Sequence, residues 1–183
     1  MAIKYISDLH WFDVYSEDWR GHLGLSLEEF VSMNVREWNT SCTDDDIIII
    51  DGDLGRDCHQ TIEALNSLRG NKVLVLGNHD KEWSQVHLHQ CFKHIVPCER
   101  VGNIFVCHYP DFKVPAGCYL VHGHHHGYDS EGMQKARIDY LKDRYRFNCC
   151  TDLNNYRPST FFQLQCNKEG LAGGVQSQAG GFD

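Results

Sequence analysis

The chain has 183 residues, 42% of them hydrophobic and 23% charged, the size and composition of one soluble globular domain able to bury a real core. Its formal net charge of -8 argues against a broad nucleic-acid-binding surface, which is basic as a rule. It leaves room for a local site whose positive charge comes from bound cations.

In chain order, "AIKYIS" (2–7) reads as a first strand and ends at Asp8 and His10. "SLEEFVSMNVREWN" (26–39) opens with Ser26 three residues before Glu29, a capping-box pattern, and Leu27, Phe30, Val31, Val35 and Trp38 recur at helical spacing. "DIIIID" (46–51) is a near-continuous apolar run suited to a strand covered on both faces, and Asp53 follows it. The acidic run at 44–46 reads as a solvated cluster at the entry of that strand. "CHQTIEALNSLRG" (58–70) predicts a second helix stopped by Gly70, with His59 exposed in its first turn.

"KVLVLG" (72–77) is a third strand and delivers Asn78, His79 and Asp80. The histidines at 87, 89 and 94 lie in a weakly patterned stretch and read as surface residues. "NIFVCH" (103–108) ends at His108, and "YLVHG" (119–123) runs into His124, His125 and His126. "RFNCCT" and "STFFQLQC" look like added strands. From 167 on, "NKEGLAGGVQSQAGGFD" has five glycines and little to bury, which predicts a flexible tail after a single domain over 1–166.

Strands alternating with helices predict an α/β fold with a largely parallel sheet. In such sheets ligands bind outside the carboxyl ends of the strands, where every candidate residue falls. Five strand ends that deliver Asp8, His10, Asp53, Asn78, His108, His124 and His126 to one rim form a mixed carboxylate, imidazole and amide set. That set suits manganese, iron or zinc better than calcium or magnesium, which prefer oxygen shells. Two such ions need a shared carboxylate between them and lower the pKa of a water that attacks a phosphoryl group in line.

Nine cysteines are an odd number and show no C-x-x-C spacing, while "MAIKYISDLH" lacks the regions of a signal peptide. The expectation is a cytoplasmic protein with reduced thiols, mostly small core fillers. No apolar run approaches the roughly 20 residues of a membrane span.

Asp8-Leu9-His10, Gly52-Asp53-Leu54-Gly55, Gly77-Asn78-His79-Asp80, His108 and Gly123-His124-His125-His126, in this order, resemble the calcineurin-like metallophosphoesterase superfamily, in particular its small bacterial and phage members. The resemblance implies a two-sheet sandwich with helices outside, an α-β-β-α layering. It implies that Asp8, His10, Asp53 and His126 hold one metal, and that Asp53 bridges to a second held by Asn78, His108 and His124. His79 is implied as the general acid for the leaving group, with Asp80 orienting its imidazole. Manganese comes first among the expected metals, with iron, zinc, nickel and cobalt as alternatives.

Arg56, His22 and Tyr109 are candidate substrate contacts. Many small relatives carry another histidine soon after D-x-H, where this chain has the aromatic, acidic segment "WFDVYSEDWRGH" (11–22), expected to shape the substrate pocket. His122 reads either as a strand residue bonded to backbone or as a support for the metal site, and His125 as a solvent or substrate contact.

The implied activity is a metal-dependent phosphoesterase acting on a small nucleotide-like phosphodiester through a metal-bridging hydroxide. A phosphomonoesterase acting on a nucleotide or protein phosphate fits the same ions. A catalytically silent scaffold of this fold is a rival from another class, although each expected motif position is filled. A metal-buffering or redox protein is disfavoured by the cysteine spacing.

Overall fold

The computed structural model describes residues 1–16, 20–126 and 134–179, the side chains at 134–136 and 172–179 excepted. The expectations for 17–19 in the acidic insertion and for 180–183 in the tail lie outside the described residues.

Two mixed sheets carry the fold. The first contains β1 (Ile3–Ile6), β2 (Ile47–Asp51), β3 (Asn71–Val75), β4 (His94–Val96) and β9 (Ser159–Thr160), in the order β4-β3-β2-β1-β9. Its first four strands are parallel, and β9 pairs antiparallel with β1 through Lys4↔Thr160 and Tyr5↔Ser159. The second sheet runs β5 (Glu99–Val101), β6 (Ile104–Val106), β7 (Tyr119–His122) and β8 (Arg146–Asn148). There β5 is antiparallel to β6, and β6, β7 and β8 are parallel.

Side-chain alternation along the strands decides which face meets what. Tyr5, Ile49 and Val75 from the first sheet pack with Val106, Val121 and Phe147 from the second, so the two sheets meet face to face. The opposite face of the first sheet, with Ile6, Ile48, Ile50 and Leu74, is covered by helices α1 (Leu27–Ser41), α2 (His59–Asn66) and α3 (Gln85–Cys91). Phe30, Val31 and Trp38 of α1 are its largest contribution to that layer. The apolar run "IIII" thus faces protein on both sides, as its composition predicts.

Ser26 caps α1 as read: its hydroxyl accepts from the Glu29 amide, and the Glu29 side chain takes the Ser26 amide. Helix α2 ends at Asn66, before Gly70, which instead sits at φ +93 where a side chain would press on Ile48 and the Asp46 carbonyl. Helix α3 and strands β4 and β5 fall in stretches too short to carry a periodic signal.

The strand expected over "STFFQLQC" stops after two residues. From Phe161 the chain is helical, α5 (Phe161–Ala179), because Phe161 and Leu164 are spaced to reach the inter-sheet core from one helix face, and Lys168 follows on it. The helix passes straight through the expected boundary at 166–167, so the backbone of 167–179 is helical rather than an irregular tail. A further helix, α4 (Gln134–Lys142), precedes β8.

All nine cysteines are unpaired with one another. Cys42, Cys107, Cys149 and Cys150 are buried, while Cys166 is exposed and the other four are intermediate. Among the described residues no helix is long and apolar enough to cross a membrane.

Candidate metal centre

The carboxyl ends of β1, β2, β3, β6 and β7 converge where the two sheets meet. Beyond the last paired residues, backbone bonding continues: the Asp8 amide donates to the Gly52 carbonyl, His10 to Asp53 and Trp11 to Leu54, at 3.0, 3.0 and 3.1 Å. Across the sheets, the Ser7 amide donates to Cys149 and Thr151 donates back to Ser7, both at 3.0 Å. These bonds fix the first ligand loop against its neighbours.

Four of the seven expected ligands sit in the left-handed region: Asp8 at φ 57, His10 at φ 45, Asp53 at φ 57 and His124 at φ 69. Asp, Asn and His adopt this region more readily than other non-glycine residues, yet each such residue stores strain. Gly123 lets the β7 end approach Asp8, since a Cβ there would lie 2.6 Å from Asp8 Oδ2. Gly77 does the same for Asp53, whose Oδ1 would be 2.3 Å from such a Cβ.

The seven residues resolve into two donor groups. Asp8, His10 and His126 offer ligand atoms within 4.8 Å of one another, and so do Asp53, His108 and His124. Asn78 Oδ1 joins the second group at 3.1 Å from His108 Nε2 and 3.0 Å from His124 Nδ1. Asp53 Oδ2 lies between the groups, 3.6 Å from His10 Nε2 and 3.2 Å from His108 Nε2. Its other oxygen accepts the His79 amide at 3.0 Å. The Asp8 carboxylate takes the His124 amide and the Ser7 hydroxyl, which ties the end of β1 to the end of β7.

Hydrogen bonds to the far ring nitrogens orient the imidazoles. His108 Nδ1 donates to the Asp51 carbonyl at 2.7 Å, which leaves Nε2 to face Asp53 and Asn78. His10 Nδ1 lies 3.1 Å from Asp13 Oδ2. Burial opposes the charged form of His108, but the hydrogen bond with Asp53 and the charges of Asp8, Asp53 and Asp51 prevail, and its pKa is pushed up to about 10. Burial likewise opposes the Asp53 carboxylate, and His108 outweighs it, holding Asp53 at about 2. His10 and His124 are pushed down, first by burial and then by neighbouring imidazoles.

The donor chemistry fits two divalent ions: buried carboxylates, imidazole nitrogens already oriented, and one carboxylate oxygen common to both groups. A third grouping, His126, Cys150 and Asp152, fits less well. Asp152 is held by Arg20 through a two-pronged contact at 2.9 and 3.0 Å, and burial pushes the Cys150 thiol well above its usual range.

His79 is exposed, and its ring stands edge-on to His10 with centroids 5.2 Å apart. The expectation for Asp80 is corrected here. Its Oδ2 accepts from the Asp53 and Gly77 amides at 3.0 and 2.8 Å, and its Oδ1 from Leu54 at 2.9 Å. Among the described residues no hydrogen bond joins it to the His79 ring. Asp80 therefore pins the loop that carries Asp53.

Arg56 and His79 line one cleft of about 580 Å³, walled also by Phe12, Tyr15, Glu82 and Trp83. Of the 11–22 segment, Phe12, Asp13, Val14 and Tyr15 line this cleft. His22 stands exposed on the turn Gly21–Leu23 and belongs to neither donor group. Tyr109 packs edge-on against His108 and tilted against His124, at 5.4 and 5.6 Å between centroids, on the side of the second group. His122 Nδ1 is 2.9 Å from the Gly123 carbonyl, in keeping with the strand-residue reading, and His125 lines a separate hollow of about 350 Å³ with Tyr140 and Arg146.

Two residues went unread in the sequence. Asp13, at i+3 from His10, was visible as a candidate support. Buried Arg20 donates to the Asp8 and Leu9 carbonyls at 2.8 and 2.7 Å, a role that no local pattern announces.

Neither a family model nor a curated protein matches the chain. Among solved structures it is similar to a protein of unknown function from Aquifex aeolicus, at 21% identity and a TM-score of 0.66. The match covers 90% of this chain and 97% of that one. The likeness extends to the fold.

Proposed function

We propose that the protein is a two-metal-dependent phosphoesterase that hydrolyses a small, nucleotide-like phosphodiester. The observation that carries this reading is the position of Asp53 Oδ2 between two imidazole-bearing donor groups, 3.6 Å from His10 Nε2 and 3.2 Å from His108 Nε2. The finer architecture, a metallophosphoesterase-type α-β-β-α sandwich, belongs to the same proposal and is supported by the face-to-face packing of the sheets.

Asp8, His10, Asp53 and His126 would hold one ion, and Asp53, Asn78, His108 and His124 the other, manganese being the first choice. Such a pair, when bound, polarises a phosphoryl oxygen and lowers the pKa of water. The chain's own residues supply the rest. Asp13 and the Asp51 carbonyl keep the His10 and His108 rings turned to the donors. His79, exposed at the mouth of the cleft beside His10, holds a proton on its imidazole and passes it to the departing oxygen. Arg56 stands in the same cleft as a cation for the phosphate. A diester gains more from this proton than an ester with a good leaving group, which favours diesterase over monoesterase activity.

Chelator-stripped protein reloaded with manganese tests the reading on bis-p-nitrophenyl phosphate and p-nitrophenyl phosphate. The expected result is turnover with preference for the diester. Preference for the monoester redirects the reading to a phosphomonoesterase, and no turnover with metal bound returns the scaffold. Asp53→Asn should lose bound metal and activity together. His79→Ala should keep the metal and lose about 10²–10⁴-fold on poor leaving groups. Full activity in Asp53→Asn would sink the bridging assignment.

A further inference from the structure

The cleft beside His79 has a chemistry of its own. Phe12, Tyr15 and Trp83 give it aromatic walls, and Tyr15 is 72% exposed, an aromatic ring left open to solvent at the rim. Two of its three carboxylates are already committed. Asp13 faces His10, and Asp57 holds His87 at 2.7 Å and the Ser84 amide at 2.9 Å. That leaves Glu82 and Arg56, both exposed, whose side chains enter no hydrogen bond or ion pair among the described residues. The cleft therefore offers aromatic walls together with Glu82 as an unengaged acceptor and Arg56 as an unengaged cation.

We infer that this cleft seats the leaving-group side of the substrate, and that the group it takes is a nucleobase. The inference rests on the phosphoesterase reading above. A proton donor must reach the departing oxygen, and His79 lines this cleft, so the leaving group extends into it. A nucleobase presents a π-face to Tyr15 and Phe12 and an amino or imino donor to Glu82, while Arg56 in the same cleft faces the phosphate. An acidic or phosphorylated peptide matches poorly, because Asp13, Asp57 and Glu82 line the same walls. The segment that carries Phe12 and Tyr15 thereby acquires a selective role.

The test is a cycle on the manganese-loaded full chain. Its substrates are a deoxydinucleoside monophosphate and the same compound with an abasic residue on the leaving side, and wild type is compared with Tyr15→Ala. Loss of the leaving-side base should lower kcat/KM by about 10-fold, the scale of one stacked base. Tyr15→Ala should produce a comparable loss, chiefly in KM, on the intact dinucleotide. The two losses should not add, and Glu82→Gln should change the ranking of leaving-side bases.

Equal kcat/KM with and without the leaving-side base, while bis-p-nitrophenyl phosphate is still hydrolysed, would overturn the inference and leave the phosphoesterase standing. Additive losses would overturn it too, since base and ring would then act independently. Absence of bis-p-nitrophenyl phosphate hydrolysis would overturn both. Tyr15 is exposed, so an unchanged melting temperature in the variant separates contact from folding.

Discussion

Asp80 gathers three backbone amides on two buried oxygens, and neither oxygen turns to the imidazole next to it in sequence. Replacement by Asn removes one acceptor and sets an NH₂ group against amide donors. Asp80→Asn should cost about 1–3 kcal/mol of stability, the range for a buried group left unsatisfied, and urea unfolding measures it. Loss of activity with an unchanged urea midpoint would instead favour a direct role on His79. The residue types of the candidate centre were legible only as a set, because one Asp or His after a strand is commonplace and seven of them at five strand ends are not. Where each carboxylate points was not legible, since neighbours in sequence diverge once the chain turns. The left-handed backbone at Asp8, His10, Asp53 and His124 was equally hidden, for it is imposed by the loops that surround them.

At the scale of elements, strands were easier to read than helices. Burial on both faces gives β2 its unbroken isoleucines, whereas α5 buries only part of one face and opens with two phenylalanines that resemble a strand. The 44–46 run misleads in the same way. Asp44 is exposed beside Arg69, but Asp46 is buried at the entry of β2. It accepts the Ala2 and Thr43 amides at 2.7 and 3.0 Å and pairs with Lys4 at 3.1 Å. These contacts, the backbone amides foremost, hold its carboxyl well below the usual range. A depressed folded-state pKa contributes stability above the unfolded value of 3.8 and loses it as pH falls below that value. Asp46→Asn should therefore flatten the acid limb of a stability–pH curve below about pH 4. An unaltered acid limb would assign it to other carboxylates.

Across the whole molecule, the two sheets share one core and one rim. Three of the four tryptophans, Trp11, Trp38 and Trp83, lie in the helix-covered layer of the first sheet, so in a Trp19→Phe background the fluorescence reports on that layer. Far-ultraviolet circular dichroism reports on both sheets. The two signals should give superimposable urea transitions, because Ser7, Asp8 and His124 tie the sheets together through backbone and side chain. Separate midpoints would mean that the sheets unfold as independent units.

The sharing of donors between the sheets carries a thermodynamic consequence. Asp8, His10 and Asp53 come from one sheet, while His108, His124 and His126 come from the other, so an ion that engages both sets binds only the assembled fold. Mass action then makes the ion a stabiliser, by about 2.7 kcal/mol when its free concentration is 100 times Kd. Chelation should lower the melting temperature by several degrees and manganese should restore it, independently of any turnover. If the proposed pair of ions binds, the supply of metal would set the folded fraction of the chain as well as its activity.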